Sequence, residues 1–207
     1  MEECDFEPGY ADTSARGLVC DEYVKHRDNQ VSVLRRVGRT VVERMKKYHM
    51  RRQELELKSK RAMREILAGQ ECMTIAMCKD KEPYLVTVTY SYDARNQSFY
   101  FHCAPVGKKI DYLKANPIVW GQVLEDLGYV TGECEHSYRT VMFRGKAEFV
   151  TDMNEKRRAL GLMIDKLEEK PSEAKRRLIT QSSLEKVSIV RVRVLELSGK
   201  ASVHRKG

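Results

Sequence analysis

Residues 83–117 read PYLVTVTYSYDARNQSFYFHCAPVGKKIDYLKANP and contain the pattern that decides the fold. In 85–92, Val and Tyr alternate with Thr and Ser; in 98–103, Phe and Cys alternate with Tyr and His. A period of two predicts a half-buried strand in each case. The five residues between them, four of them polar, make a loop of hairpin length, so we expect the two strands to pair antiparallel as neighbours.

A glycine and two lysines follow the second predicted strand. Gly107 allows the backbone to turn, and Ile110 and Leu113 fall on helical spacing until Pro117 ends the run. Unpaired amides at a helix start, the positive end of the helix dipole and two ammonium groups together suit a phosphate. Taken alone, a pair of adjacent lysines is more often a solvated part of a surface helix.

An ordered series of short motifs extends this pattern along the chain. It comprises 50–52 (MRR), 66–67 (IL), 72–76 (CMTIA), 83–86 (PYLV), 90–92 (YSY), 99–104 (FYFHCA), 107–111 (GKKID), 116–117 (NP), 138–141 (YRTV), 145–147 (GKA), 155–156 (EK) and 198–201 (SGKA). In order and spacing, residues 50–202 resemble the pyridoxamine 5′-phosphate oxidase-like, FMN-binding split-barrel flavoproteins, and most closely their nitroimidazole-resistance branch. The sequence departs from that pattern at Thr87, where proline is frequent, and at Cys103, where a small residue is frequent.

The resemblance implies a mainly β fold with flanking helices, a six-stranded Greek-key split barrel. It also implies a homodimer with FMN bound at the dimer interface. Alternation and turn residues predict strands over 71–78, 84–92, 98–103, 118–125, 138–150 and 186–197, and helices over 54–67, from 152 and from 171 to 179. We expect a barrel domain over 50–207 and a basic, partly helical N-terminal extension over 1–49.

The resemblance also implies roles for individual residues. The strand Thr87-Val88-Thr89 is expected to pass the isoalloxazine, with main-chain amides and the threonine hydroxyls at its polar edge. His102 is expected beside the flavin as the catalytic residue, since an imidazole titrates near neutral pH. The alternatives are outward strand threonines and an exposed histidine.

The phosphate of FMN is expected to contact Lys108 and Lys109, with Lys109 the better candidate. Arg139 and Thr140 would add a guanidinium and a hydroxyl to the same phosphate or to its neighbour in the partner subunit. A surface arginine is an equal alternative at position 139.

The predicted function is that of an FMN-dependent oxidoreductase that reduces nitroaromatic, nitroimidazole-type compounds. Its expected partners are a second copy of the chain, a small-molecule substrate, and reduced nicotinamide or another electron donor. Ser-His-Asp, P-loop and G-x-G-x-x-G arrangements are absent from the sequence, so the chemistry is expected to come from the cofactor. A non-catalytic flavin-binding protein is the alternative; a pyridoxamine-phosphate oxidase is less favoured because basic residues for a second phosphate are not evident.

Composition bounds the remaining possibilities. The 207 residues carry a net charge of +8, and Arg35–Lys47 fits a helix, predicted over 30–48, with a cationic face. This face offers a weaker third hypothesis, nucleic-acid binding, but aromatic stacking residues are missing there.

No apolar run reaches ~18 residues and no secretory signal is evident, which predicts a cytoplasmic protein without a membrane span. The six cysteines lack a C-x-x-C pair, so no metal site is expected.

Overall fold

The structure is a computed structural model that describes residues 50–203. The predicted extension over 1–49, with its cationic helix over 30–48, lies outside the described residues. None of the helices between residues 50 and 203 combines the length and the apolar character needed to cross a bilayer.

Seven strands and five α-helices make up the described part of the chain. They are α1 (Lys60–Gly69), β1 (Cys72–Lys79), β2 (Glu82–Thr89), β3 (Ser91–Asp93), β4 (Ser98–Cys103), α2 (Lys108–Ala115), β5 (Ile118–Val130), β6 (Glu135–Phe149), α3 (Met153–Leu167), α4 (Pro171–Leu178), α5 (Gln181–Lys186) and β7 (Ser188–Ser202), with a 3-10 turn at Gln53–Leu55 before α1. The mainly β fold with flanking helices is confirmed.

All seven strands belong to one antiparallel sheet in the order β2-β1-β5-β6-β7-β4-β3. The strands at the two ends of this order, β2 and β3, are consecutive in sequence, and only Tyr90 separates them. The sheet therefore curls until its two ends meet at a single residue, which gives the predicted split barrel.

The predicted strand over 84–92 is two strands, and the expected hairpin partner is wrong for most of it. β2 pairs with β1 across a two-residue turn, Asp80-Lys81, in which both residues have positive φ. Of the two strands, β3 alone pairs with β4. The chain bends because the fully buried Tyr90 points inward, where its hydroxyl donates a 2.8 Å hydrogen bond to the Leu67 carbonyl.

Other boundaries differ where cross-strand pairing outweighs local sequence. β5 and β6 form a hairpin that extends past the predicted ends, with a bulge between Asp126 and Tyr129.

The helix starts depend on capping residues. The predicted helix over 54–67 begins as α1 only at Lys60, after Ser59 accepts a hydrogen bond from the amide of Ala62. The predicted start of α3 is confirmed, since the Asp152 carboxylate accepts from the amide of Glu155 at 2.7 Å. The short α5 was not predicted.

The centre of the barrel is built from aromatic rings. Phe99 and Phe143 stack with centroids 4.1 Å apart, and Tyr90, between β2 and β3, and Tyr92, on β3, pack on Phe99. Gly121 on β5 provides the room, because a Cβ there would lie 2.1 Å from the Cζ atom of Phe143. The absence of a side chain at this position therefore fixes where the Phe143 ring lies.

Gly121→Ala is expected to lower the free energy of unfolding by about 1–3 kcal/mol, because the added methyl group displaces a stacked core ring. Chemical denaturation monitored by circular dichroism measures the change. Gly69→Ala is the control, since a Cβ there meets nothing within 4 Å; its effect should stay within about 0.5 kcal/mol. Equal stability of the two variants would contradict this account of the core.

Candidate functional site

The start of α2 carries the predicted anion site. Gly107 adopts φ +126°, a conformation that side-chain-bearing residues rarely take, and its carbonyl accepts from the amides of Ile110 (2.9 Å) and Asp111 (3.2 Å). The amides of Lys108 and Lys109 precede these bonds in the first turn and have no carbonyl partner within the helix. Two main-chain donors therefore remain for a ligand.

The two lysine side chains reach toward different strands. The Nζ atom of Lys108 lies 4.7 Å from the ring centroid of Tyr84 on β2, and that of Lys109 lies 5.5 Å from the ring centroid of Phe101 on β4. Within residues 50–203 neither ammonium group forms an ion pair with a carboxylate. The helix start thus brings two unneutralised positive charges to the region between β2 and β4.

Cys103 lies in the same region at the end of β4. Burial raises the pKa of its thiol, and the positive charge of Lys109 only partly opposes this effect. The thiol is therefore protonated at neutral pH, which argues against a nucleophilic thiolate here. Its side chain packs against the main core, so this departure from the family pattern is accommodated as a small apolar group.

The second half of β2 presents polar groups on its outer face and apolar groups on its inner face. Thr87 and Thr89 are exposed, whereas Val88 is only 8% exposed and packs in the core. Any contact of Val88 with the predicted flavin is therefore limited to its main chain. In the described residues β2 pairs with β1 alone, so its second edge still carries amide and carbonyl groups that no strand takes up.

A row of polar side chains continues from Thr87 across the outer face of the sheet. Direct strand pairing places Thr87, Thr74 and Gln122 side by side, and the two threonine hydroxyls are 3.3 Å apart. Gln122 donates to the Thr140 hydroxyl at 3.0 Å, and that hydroxyl donates to the Val123 carbonyl at 2.9 Å. Thr140 is 2% exposed, so its hydroxyl is committed within the sheet.

Arg139 is also engaged by a neighbour. Its guanidinium holds the Glu125 carboxylate across the β5–β6 pair with two hydrogen bonds, from Nε and, at 2.9 Å, from a terminal nitrogen. The carboxylate accordingly raises the pKa of Arg139. A phosphate contact from Arg139, within this subunit or across to a partner, would require these two hydrogen bonds to Glu125 to open.

His102 lies on the outer face of β4, next to the lysine region but on the opposite side of the strand from Phe101. It is exposed, and within residues 50–203 its side chain forms no hydrogen bond or ion pair. The imidazole is therefore available to a ligand that covers this face.

Exposed apolar side chains border the polar row. Leu85 is 65% exposed, Trp120 is 50% exposed and Leu124 is 47% exposed, all on the same outer face as Thr87. Contiguous exposed apolar side chains are typical of a surface that a second molecule covers.

The structure thus groups the predicted residues into a lysine pair over β2 and β4 and a threonine row on the outer face of β2. Sequence reasoning missed four neighbours: Tyr84, Thr74, Gln122 and Glu125. The strand register was the missing signal, because it places residue 125 opposite residue 139 and residue 74 opposite residue 87.

Comparison with known proteins gives one family match. The family model described as pyridoxamine 5′-phosphate oxidase matches residues 59–201. An uncharacterised protein of Rhizobium meliloti (strain 1021) is 33% identical over 60 residues, which are 29% of this chain and 38% of the relative. This match therefore spans well under half of the curated relative.

Solved structures share the fold over most of the described chain. A candidate 5-nitroimidazole antibiotic resistance protein of Bacteroides thetaiotaomicron is 26% identical, with a TM-score of 0.57 over 70% of this chain and 86% of that one. A flavocytochrome of Azotobacter vinelandii superimposes with a TM-score of 0.63 at 18% identity, over 76% and 73% of the two chains. A FAD- and heme-binding protein of Mycobacterium smegmatis gives 0.61 at 16% identity, over 73% and 74%. The last two likenesses show the fold.

Arg139 and Glu125 are expected to stabilise the fold as a pair. In a double-mutant cycle with Arg139→Gln and Glu125→Gln, the coupling should be about 1 kcal/mol, because the fork is half-buried. Denaturant titration of the four proteins measures it. The exposed pair Arg61–Glu65 serves as the control, with a smaller coupling expected. A coupling energy of zero would mean that Glu125 does not hold the Arg139 guanidinium, which would then be available to bind a phosphate.

Proposed function

The chain belongs to the pyridoxamine 5′-phosphate oxidase family, and from this membership we propose that it is an FMN-dependent oxidoreductase that reduces nitroaromatic compounds. One observation carries the proposal. Among residues 50–203, the start of α2 offers two amides without a carbonyl partner in the helix and two ammonium groups without a carboxylate partner, over the rings of Tyr84 on β2 and Phe101 on β4. This donor set fits the dianionic phosphate of FMN.

Lys108 and Lys109 hold the phosphate in this proposal. Their aromatic neighbours Tyr84 and Phe101 restrict the two side chains without neutralising them, so less rotamer entropy is lost when an anion binds. The open space around Gly107 lets the phosphate approach the main chain, since nothing lies within 4 Å of where a Cβ would stand.

β2 and His102 hold the ring system. Main-chain groups on the free edge of β2 and the hydroxyls of Thr87 and Thr89 meet the polar edge of the flavin, and the alternation of the strand keeps Val88 in the core. FMN, when bound, supplies the transfer of a hydride or of single electrons. His102 lies exposed at the end of β4 and delivers a proton to the substrate, a task for which an unpaired imidazole is suited.

The nitroaromatic substrate is the finer part of the proposal. It rests on the resemblance of the sequence to the nitroimidazole-resistance branch and on the similarity to the Bacteroides thetaiotaomicron protein. Reduced nicotinamide is the proposed electron donor.

A second copy of the chain completes the site. The exposed Leu85, Trp120 and Leu124 flank the threonine row on the outer face, and apolar side chains exposed together are typical of a surface that a partner covers. A two-fold dimer would bury these side chains and cover the flavin from the other side. In this proposal residues 1–49 are an extension outside the barrel domain.

Lys108→Ala combined with Lys109→Ala is expected to weaken FMN binding about a hundredfold or more, because each charge-assisted phosphate contact contributes about 1.5–3 kcal/mol. Fluorescence titration of the flavin-free protein measures the affinity, and circular dichroism checks the fold. Lys60→Ala combined with Lys114→Ala removes the same charge from exposed lysines outside the site and should leave the affinity nearly unchanged. An equal loss of FMN affinity in both double variants would show that the loss comes from the change in net charge and not from phosphate contacts.

His102→Ala is expected to retain FMN and to lower kcat for a nitroaromatic about 10²-fold or more, because it removes a proton donor and no phosphate ligand. Steady-state turnover with reduced nicotinamide, together with the flavin content by absorbance, gives both values. His136→Ala is the control, since His136 pairs with Asp126 on the far β5–β6 hairpin. If the wild-type protein binds FMN but no donor reduces it, the non-catalytic flavin-binding alternative holds.

A further inference from the structure

A second pocket lies outside the proposed flavin site, between the end of α1, β3 and the last turns of α3. Its volume is about 520 Å³. Leu67, Ala68, Tyr92 and Leu162 form apolar parts of its wall, and the polar side chains in the wall are Arg64, Ser91, Asp165 and Lys166. The proposed function uses none of these residues.

Lys166 places its amine on the inner wall of this pocket. The Nζ atom donates a 3.1 Å hydrogen bond to the Leu67 carbonyl and lies 3.4 Å from the ring centroid of Tyr90. Within residues 50–203 it has no carboxylate partner, because the adjacent Asp165 pairs with Lys175 at 2.5 Å. Burial lowers the pKa of this amine to about 8, and the more distant Cys72 and Glu71 only partly oppose that effect. A larger fraction of this amine than of an ordinary lysine amine is therefore neutral and nucleophilic near neutral pH.

Ser91 and Arg64 are two further polar side chains of the pocket. Ser91 is 2% exposed, and its hydroxyl oxygen is buried without a hydrogen-bond partner in the described residues. A buried hydroxyl without a partner costs stability, and a bound ligand atom would satisfy it. Arg64 stands exposed at the rim, and no carboxylate between residues 50 and 203 neutralises it.

We propose that this pocket binds a small aldehyde or 2-oxo acid that carries a carboxylate, and that Lys166 forms an imine with its carbonyl carbon. The amine nitrogen attacks that carbon and forms the C–N bond. The carbonyl oxygen leaves as water with the two amine protons, so a C=N bond remains and no oxidant or reductant is needed. Arg64 pairs with the carboxylate, the Ser91 hydroxyl bonds to a polar atom of the ligand, and the apolar wall limits hydrolysis of the imine by water.

Reductive trapping tests the proposal on the full chain as purified. The protein is treated with glyoxylate and sodium cyanoborohydride at neutral pH, and peptide mass spectrometry follows the modification of each lysine with time. Lys166 is expected to react at least about tenfold faster than the exposed Lys114, because only Lys166 holds its amine in a pocket beside groups that can bind the aldehyde. Acetaldehyde lacks the carboxylate, so its labelling rate reports the reactivity of the amine alone. The difference between the two labelling rates then reports binding of the carboxylate.

Two variants distinguish binding from structure. Arg64→Gln should slow the labelling of Lys166 by glyoxylate at least threefold and leave labelling by acetaldehyde unchanged, whereas Arg61→Gln, on the same helix but paired with Glu65, should change neither. If Lys166 reacts no faster than Lys114, the amine serves only to cap the carbonyl end of α1, and the proposal is overturned. If Arg64→Gln changes neither rate, the carboxylate assignment is overturned.

Discussion

The bend at Tyr90 is the constraint on which the rest of the structure depends. Its side chain is fully buried, its hydroxyl bonds to the Leu67 carbonyl of α1, and its amide reaches the Glu71 carbonyl at 3.4 Å. A buried tyrosine without that bond would leave a polar group unsatisfied, so the ring holds the chain where β2 ends and β3 begins. The two ends of the sheet are thereby joined, and the barrel closes.

The same bend sets the geometry of both proposed sites. It directs β2 onto β1 and away from β4, so among the described strands none pairs with the second edge of β2. The start of α2 places Lys108 over Tyr84 and Lys109 over Phe101. On the other side of the closure, the Tyr90 ring forms the surface on which the amine of Lys166 rests. A single buried ring thus links the edge proposed for the flavin to the pocket proposed for a carbonyl compound.

The sequence predicted the features that local pattern controls. The strand over 98–103, the helix start at Gly107 and the cap at Asp152 are all found, because each depends on residues close together in the chain. The division of 84–92 could not be predicted, since alternation continues through Tyr90 and the bend depends on a carbonyl 23 residues earlier. The partners of Arg139 and Thr140 were missed for a similar reason, because they depend on the register between β5 and β6.

The central claim is that the anion site at the start of α2 holds the phosphate of a flavin mononucleotide. Comparing the affinities of the flavin-free protein for FMN and for riboflavin, which differ only in the phosphate, tests it most directly. FMN is expected to bind at least about a hundredfold more tightly than riboflavin, and added inorganic phosphate should narrow this difference in affinity by competing for the lysines. Equal affinities for the two flavins would contradict it.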